Sequence, residues 1–231
     1  LRLTEALADF RIDLPYDKQG ILEAVNLLTD ANKGEDGYFR LNVSAGIHDL
    51  GLQPNNYQEP TVILYRKPLP PMIRGKEKSA VWLKTVRNTP ESSIRHKSHH
   101  FANNVQARLE LDSLADQEGI FVNASGFVAE GITSNVFWVN GGKVYTPSVE
   151  TGILNGTTRK WILKNCTSDI EEGFYTKNHL ESAEEVFITN AVQELVPIKS
   201  IGGKQFLGNL GPVYKELHKQ YVASIQGKRR V

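Results

Sequence analysis

Three short stretches of this chain set reactive side chains at spacings that suit chemistry. In IRHKSHHFANN, residues 94–104, Lys97 stands among Arg95, His96, His99 and His100. Cations crowded around a lysine disfavour its protonated form and lower its pKa, which a Schiff-base lysine needs. The same three histidines fall at i, i+3 and i+4, a zinc-like spacing, although no carboxylate is obvious nearby to complete a ligand set. For this segment alone, a solvated basic helix start is the plainest account. In TGILNGTTRKWIL, residues 151–163, two glycines and two threonines run into a helical pattern. Free backbone N–H groups and the positive end of a helix converge there, and the Thr157 and Thr158 hydroxyls add donors for an anion. It is not a Walker loop, because only three residues separate Gly152 from Gly156 and no lysine follows. A turn with a threonine cap is the competing account. In GFVAEGITSNVFWV, residues 126–139, one carboxylate, Glu130, sits in an apolar run. A buried carboxylate is expensive without a cationic or hydrogen-bonding partner. A cofactor with a protonated pyridine nitrogen supplies one. A lysine for an aldehyde, an acid for a ring nitrogen and a helix start for a phosphate then form one set, the set pyridoxal phosphate requires.

The elements that must carry these groups follow from periodicity. YDKQGILEAVNLLTDANK spaces Ile21, Leu22, Val25 and Leu28 as a helix with Asp17 as its cap. GYFRLNVSAG and TVILYRK read as strands. KPLPPMIRGKEKS, residues 67–79, is rich in proline and charge and reads as a linker, which places a domain boundary near residue 70. Beyond it, SAVWLKTVRN is a strand, residues 101–116 a helix, and GIFVNASGFVAEG two strands about the turn at 123–126. NVFWVNGGKVYTP is a hairpin, TTRKWILKNC a helix, and AEEVFITNAVQELVPI a strand and loop. LGPVYKELHKQYVASI closes with Val213, Leu217, Tyr221 and Ile225 on one face of a helix. The sum is a mixed α/β chain with many hairpins, unlike a doubly wound parallel sheet.

Bulk properties narrow the classes. At 231 residues the chain holds one large domain or two modest ones, and 40% hydrophobic with 23% charged residues is ordinary for a globular protein. A net charge of +1 gives no field toward nucleic acid or membrane, and the clustered cations of GKRRV at 227–231 read as a solvated tail. No apolar run approaches the roughly 20 residues that span a bilayer. The single cysteine, Cys166, excludes an internal disulfide, fits a reducing cytosol and reads as structural. The start, LRLTEALADFRIDL, is neither a signal peptide nor a natural beginning, so a preceding segment is expected.

Order and residue types together resemble the fold type IV pyridoxal-phosphate enzymes, the class IV aminotransferases. Their pattern stands here as Glu130, Asn135-Val136-Phe137, Thr146-Pro147 and Gly156-Thr157-Thr158-Arg159, with Thr157 in place of the usual aliphatic residue. Lys97, Ser98 and Asn104 match the family's lysine motif. The resemblance covers the whole chain. It implies a small α/β domain, residues 1–70, lacking an N-terminal hairpin, and a larger β-rich pseudo-barrel domain with flanking helices, residues 71–231. It also implies pyridoxal 5'-phosphate held by Lys97, Glu130, Arg2, Ser134, Asn135, Thr157, Thr158, Asn190 and Ala191, no metal, and a homodimer. Within the family, the stretches at 86–108, 118–138 and 144–159 are similar to the Gram-positive type of 4-amino-4-deoxychorismate lyases. That branch implies aminodeoxychorismate as substrate and 4-aminobenzoate and pyruvate as products, in folate biosynthesis. On this reading Lys97 is the catalytic base. Arg95, Arg87 and His100 are the candidates for substrate contacts, with His99 as a further lining residue. A transaminase of branched-chain or D-amino acids is the alternative, since the same lysine, glutamate and phosphate cup serve both reactions.

Overall fold

The computed structural model describes residues 2–48, 51, 55–69 and 73–226. The chain forms two compact units, Leu1–Met72 and Ile73–Val231. Residues 70–72, where the linker reading puts the boundary, and the tail at 227–231 lie outside the described residues.

The first unit begins with α1 (Arg2–Asp9), a helix the sequence reading does not anticipate, followed by α2 (Lys18–Asp30). Asp17 caps α2 as expected, its Oδ1 accepting the Gly20 N–H at 2.8 Å. Strands β1 (Tyr38–Ser44) and β2 (Thr61–Lys67) pair antiparallel from Tyr38 opposite Lys67 to Ser44 opposite Thr61. Arg66 of β2 ties this hairpin to the end of α2 through the Asn32 side chain and the Glu35 and Asp36 carbonyls.

The second unit is built on one sheet. Its elements are β3 (Lys78–Trp82), α3 (Ala102–Arg108), β4 (Gln117–Val122), β5 (Val128–Gly131), β6 (Asn135–Asn140), β7 (Lys143–Pro147), α4 (Thr157–Asn165), β8 (Ile170–Gly173), α5 (Lys177–Glu181), β9 (Glu185–Asn190), β10 (Glu194–Ile201), β11 (Lys204–Gln205) and α6 (Pro212–Gln226). The spatial order is β5-β4-β3-β10-β9-β6-β7-β8, with β11 on β10. The β3–β4, β3–β10 and β7–β8 pairs are parallel and the rest antiparallel. The two ends of this order approach one another, for Val128 of β5 donates to the Tyr175 carbonyl, two residues past β8, at 2.7 Å. The sheet therefore curls toward a barrel.

Both faces of the sheet are covered, which is why its central strands read as unbroken apolar runs. Along β6, Val136 and Trp138 enter an inner cluster with Ile120, Val128, Ile188 and Ile198. Phe137 and Val139, on the other face, pack with Phe187 and Leu195 beneath Ile162 of α4 and Tyr214 and Leu217 of α6. Glu185, buried at the start of β9, accepts the Val213 and Tyr214 N–H groups at 3.1 and 2.9 Å and so caps α6 from the sheet. A third cluster of Leu83, Ala107, Leu111, Phe121, Ala129, Ile132 and Ile153 lies under the loops that carry the candidate residues.

Helix α3 ends at Arg108, well short of the expected residue 116. The last N–H groups tighten to i→i−3 bonds, Leu109 to Gln106 and Glu110 to Ala107. Glu110 then turns away to accept the Lys84 and Thr85 N–H groups at 2.7 and 2.8 Å, and Leu111 enters the third cluster.

Candidate active site

Glu130, in β5, is 4% exposed and is met by cations of the protein itself. Its Oε1 takes Arg87 Nε at 2.9 Å and Arg87 Nη2 at 2.7 Å, its Oε2 takes the Leu154 N–H at 2.9 Å, and Arg95 Nε stands 3.9 Å off. Burial pushes the Glu130 carboxyl up, while Arg87, the Leu154 N–H and Arg95 pull it back. Oε2 keeps a lone pair beyond the one Leu154 uses, so the carboxylate can accept one more N–H.

Arg87 is locked by more than this pair. Its guanidinium lies 5.0 Å from the Phe121 ring centroid, and Nη1 donates to Asn103 Oδ1 at 2.8 Å and Asn104 Oδ1 at 3.1 Å. Arg95 is also turned inward, donating to the Gly152 carbonyl at 2.6 Å and to the Asn88 carbonyl and side chain. Burial, followed by the nearby Arg87 charge, lowers the Arg95 pKa. In this arrangement neither guanidinium is turned to solvent. Both are 7% exposed or less, and their donors serve Glu130, asparagines and backbone carbonyls. The physical reason is the buried charge of Glu130, which draws the two nearest guanidiniums to itself.

The same contacts gather the lysine segment and the anion loop. Arg95 forms a parallel bridge with Leu154, the residue whose N–H meets Glu130, and Lys97 follows two positions later, solvent-exposed in the loop before α3. Ser98 Oγ accepts the His100 N–H at 3.2 Å. His96 is buried, whereas His99 and His100 are exposed, and His100 Nδ1 stands 3.6 Å from Glu91. Among the described residues, no group of three or more His, Cys, Asp or Glu side chains could hold a metal.

Two residues past Leu154, Gly156 begins α4 with extended backbone and no side-chain cap, leaving the first N–H groups of the helix open to an anion. A Cβ at Gly156 would lie 2.3 Å from Asn135 Oδ1, so only glycine permits this approach. Asn135 Nδ2 in turn donates to the Leu154 carbonyl at 2.7 Å. Thr158 is buried and Thr157 exposed at this helix start. Ser134 Oγ and Thr189 Oγ1, next to Asn135 in sequence and in strand register, are buried without a hydrogen bond. Open helix donors and the orphaned Thr189 hydroxyl fit a phosphate, and the spare lone pair of Glu130 fits a ring N–H. The residues present therefore suit pyridoxal phosphate.

The remaining expected residues are placed as follows. Asn190 Oδ1 accepts the Val192 and Gln193 N–H groups at 2.9 and 2.7 Å, so its side chain holds the β9–β10 turn while Ala191 is exposed. Arg2 opens α1 in the first unit. The sequence reading missed the asparagine pair at 103–104 as an Arg87 clamp. It gave Arg159 no task, although that residue roots the start of α4 by donating to the Pro147 carbonyl at 2.8 Å and to Glu172. It also missed Glu118, a second carboxylate 1% exposed. The available signal was repetition: Glu118-Gly119-Ile120 and Glu130-Gly131-Ile132 are the same tripeptide at the two ends of one hairpin.

Comparison with known proteins agrees with this geometry. A profile of the family described as amino-transferase class IV matches residues 1–201. The chain is 39% identical to the aminodeoxychorismate lyase of Bacillus subtilis over 97% of its own length and 78% of that protein's. It is 30% identical to a putative branched-chain-amino-acid aminotransferase of Methanocaldococcus jannaschii, over 95% of this chain and 78% of that one. A putative 4-amino-4-deoxychorismate lyase structure from Legionella pneumophila superposes with a TM-score of 0.87 at 22% identity, covering 96% of this chain and 82% of that one, which speaks to the fold. With a profile that matches residues 1–201 and a relative 39% identical over nearly all of this chain's length, the chain belongs to the class IV aminotransferase family.

Proposed function

We propose that the chain is a pyridoxal-phosphate-dependent lyase that splits 4-amino-4-deoxychorismate into 4-aminobenzoate and pyruvate. The observation that carries the reading is the Leu154 junction. One residue meets Glu130 through its N–H, Asn135 through its carbonyl and the Lys97 segment through the Arg95 bridge. The cofactor, when bound, supplies an electron sink conjugated to the amine-bearing carbon. Glu130, through the spare lone pair of Oε2, would accept the ring N–H and so favour a proton on that nitrogen. Lys97 provides the amine that holds the aldehyde and, once released, takes the proton from the amine-bearing carbon and returns one to the departing enolpyruvyl oxygen. The open N–H groups of α4, with Thr157, Thr158, Ser134 and the 190–191 turn, hold the phosphate. Arg95, Arg87 and His100 stay the residues assigned to the substrate from the sequence. The elimination divides the substrate into its two products with no co-substrate, and aromatisation drives it.

The 39% identity to a lyase, against 30% to an aminotransferase, favours elimination over transamination. A homodimer in the cytoplasm accompanies this reading; among the described residues no helix is long and apolar enough to cross a membrane. Borohydride reduction after incubation with pyridoxal phosphate, with peptide mass mapping, is expected to mark Lys97 alone. Release of 4-aminobenzoate and pyruvate from aminodeoxychorismate without any added keto acid is then expected. An adduct elsewhere refutes the cofactor assignment, whereas amino-group transfer to a keto acid without 4-aminobenzoate release makes the chain a transaminase.

A further inference from the structure

Glu118 is a carboxylate that the mechanism above does not use, yet it is more deeply buried than Glu130. It lies on β4 opposite Ala80 of β3. Its Oε1 accepts the Ile132 N–H at 2.8 Å, and the Thr133 N–H also points to the carboxylate. These donors belong to the turn 131–134, closed by Gly131 donating to the Ser134 carbonyl at 2.8 Å. The turn is fitted around the carboxylate. A Cβ on Gly131 would lie 2.9 Å from Glu118 Oε1 and 2.0 Å from Ser134 Oγ, which sits beside the carboxylate without hydrogen-bond geometry.

The position of this turn gives Glu118 its reach. It joins Glu130 directly to Asn135, the two residues that grip Leu154 from opposite sides. On its outer side the Ile132 carbonyl accepts Asn104 Nδ2 at 2.5 Å, and Asn104 Oδ1 accepts Arg87, which holds Glu130. An unbroken chain of contacts thus runs from Glu118 through Ile132, Asn104 and Arg87 to Glu130. We propose that Glu118 is a positioning residue: its carboxylate fixes the 131–134 turn and thereby sets Glu130 and Asn135 for the ring nitrogen and phosphate of the cofactor. The proposal rests on the cofactor reading given above.

A glutamate kept here works against folding. Burial pushes its carboxyl up to about 7, with Lys78 as the one charged group facing it, from β3, and the Ile132 and Thr133 N–H groups holding it down. Lys78 is itself buried, its Nζ donating to the Leu114 carbonyl and Gln193, and Lys76 and Asp116 are the further charges that act on it. A folded-state pKa above the unfolded one means that the stabilising contribution is present at low pH and lost as pH rises through about 7. Above that pH the ionised Glu118 is a net cost, and strongly perturbed groups retained at a cost concentrate at functional sites.

Two measurements test this on the full chain. Amide hydrogen exchange of the peptide spanning 128–136 in the cofactor-free protein should show protection that falls as pH rises from 6 to 8, after correction for intrinsic rates, because opening the turn releases the ionised carboxylate to water. Glu118→Gln should remove that step, with α6 unchanged. The same variant should bind pyridoxal phosphate about tenfold more weakly at pH 8. A flat wild-type profile overturns the proposal, and it needs no variant to fold. So does Glu118→Gln that loosens the turn but binds cofactor with wild-type affinity. A wild-type chain that takes up no pyridoxal phosphate overturns the cofactor reading instead, and the exchange profile still decides whether Glu118 organises the turn.

Discussion

Arg87→Met removes the main partner of a carboxylate that has almost no access to water. Truncating one member of a buried ion pair costs about 3–5 kcal/mol, because the survivor is left desolvated and uncompensated. Here the low end applies. Glu130 would keep the Leu154 N–H at 2.9 Å and Arg95 at 3.9 Å, and it can escape its charge by taking a proton. The sign of the pH effect follows from that escape. Without Arg87 the folded-state pKa of Glu130 moves further up, so stability is retained at low pH and lost as pH rises. The expected loss is about 3 kcal/mol at pH 8 and clearly less at pH 5.5. All three tryptophans, Trp82, Trp138 and Trp161, lie in the second unit, so urea unfolding followed by their fluorescence reads the unit that contains the pair. With a slope of about 2 kcal/mol per molar urea, the midpoint should fall by roughly 1.5 M at pH 8. Arg87→Met/Glu130→Leu should recover more than half of that loss, since both charges are then gone. The lost bonds from Arg87 to Asn103 and Asn104 are common to both variants and cancel. A single variant losing under about 1 kcal/mol at pH 8, a loss independent of pH, or a double variant as unstable as the single would each refute the reasoning.

Two further outcomes follow from local geometry. Gly156→Ala should drive Asn135 off the Leu154 carbonyl, costing about 1–3 kcal/mol by overpacking and weakening uptake of pyridoxal phosphate. Thermal unfolding beside a cofactor titration reads both effects, and a variant with wild-type cofactor affinity would show that the close approach is dispensable. Burial pushes the Cys166 thiol up, so a disulfide reagent at pH 8 should label the native chain at least about tenfold more slowly than the urea-unfolded one. Equal rates would count against the half-buried, inert thiol described for this residue.

Much of the site was legible because its residues are fixed by local pattern. Glu130 in an apolar strand, Gly156 before a helix and the lysine loop each declare themselves within a dozen residues. What stayed hidden are pairings across long separations. Arg87 reaches Glu130 across 43 positions, and no periodicity marks that partnership. A reading from types alone therefore assigned Arg87 and Arg95 to the substrate and gave no sign of their contacts with Glu130. In the fold, the other apolar strands and the helices α2, α4 and α6 followed from periodicity, while β10, read as a loop, and β8 and α5 did not. Ile170–Gly173 carries two exposed glutamates on an edge strand, and Lys177–Glu181 has a single buried side chain, Leu180, so neither shows an apolar pattern. The overlong reading of α3 failed because Glu110 found backbone donors at 84–85, a tertiary contact that overrides helical spacing.

The strand order carries a consequence for how the chain is made. Strand β10 stands in the middle of the sheet, between β3 and β9, yet it is synthesised after all of its neighbours but β11. Until residues 194–201 emerge, the growing chain holds two half-sheets, β5-β4-β3 and β9-β6-β7-β8, each with an open edge where β10 will lie. The contact that seals them, Arg74 to Glu194, closes a loop of 120 residues. Such non-local closure is slow and leaves strand edges exposed meanwhile. The second unit is thus expected to fold after translation of its final quarter, in one late step, and to be most prone to aggregation just before that step.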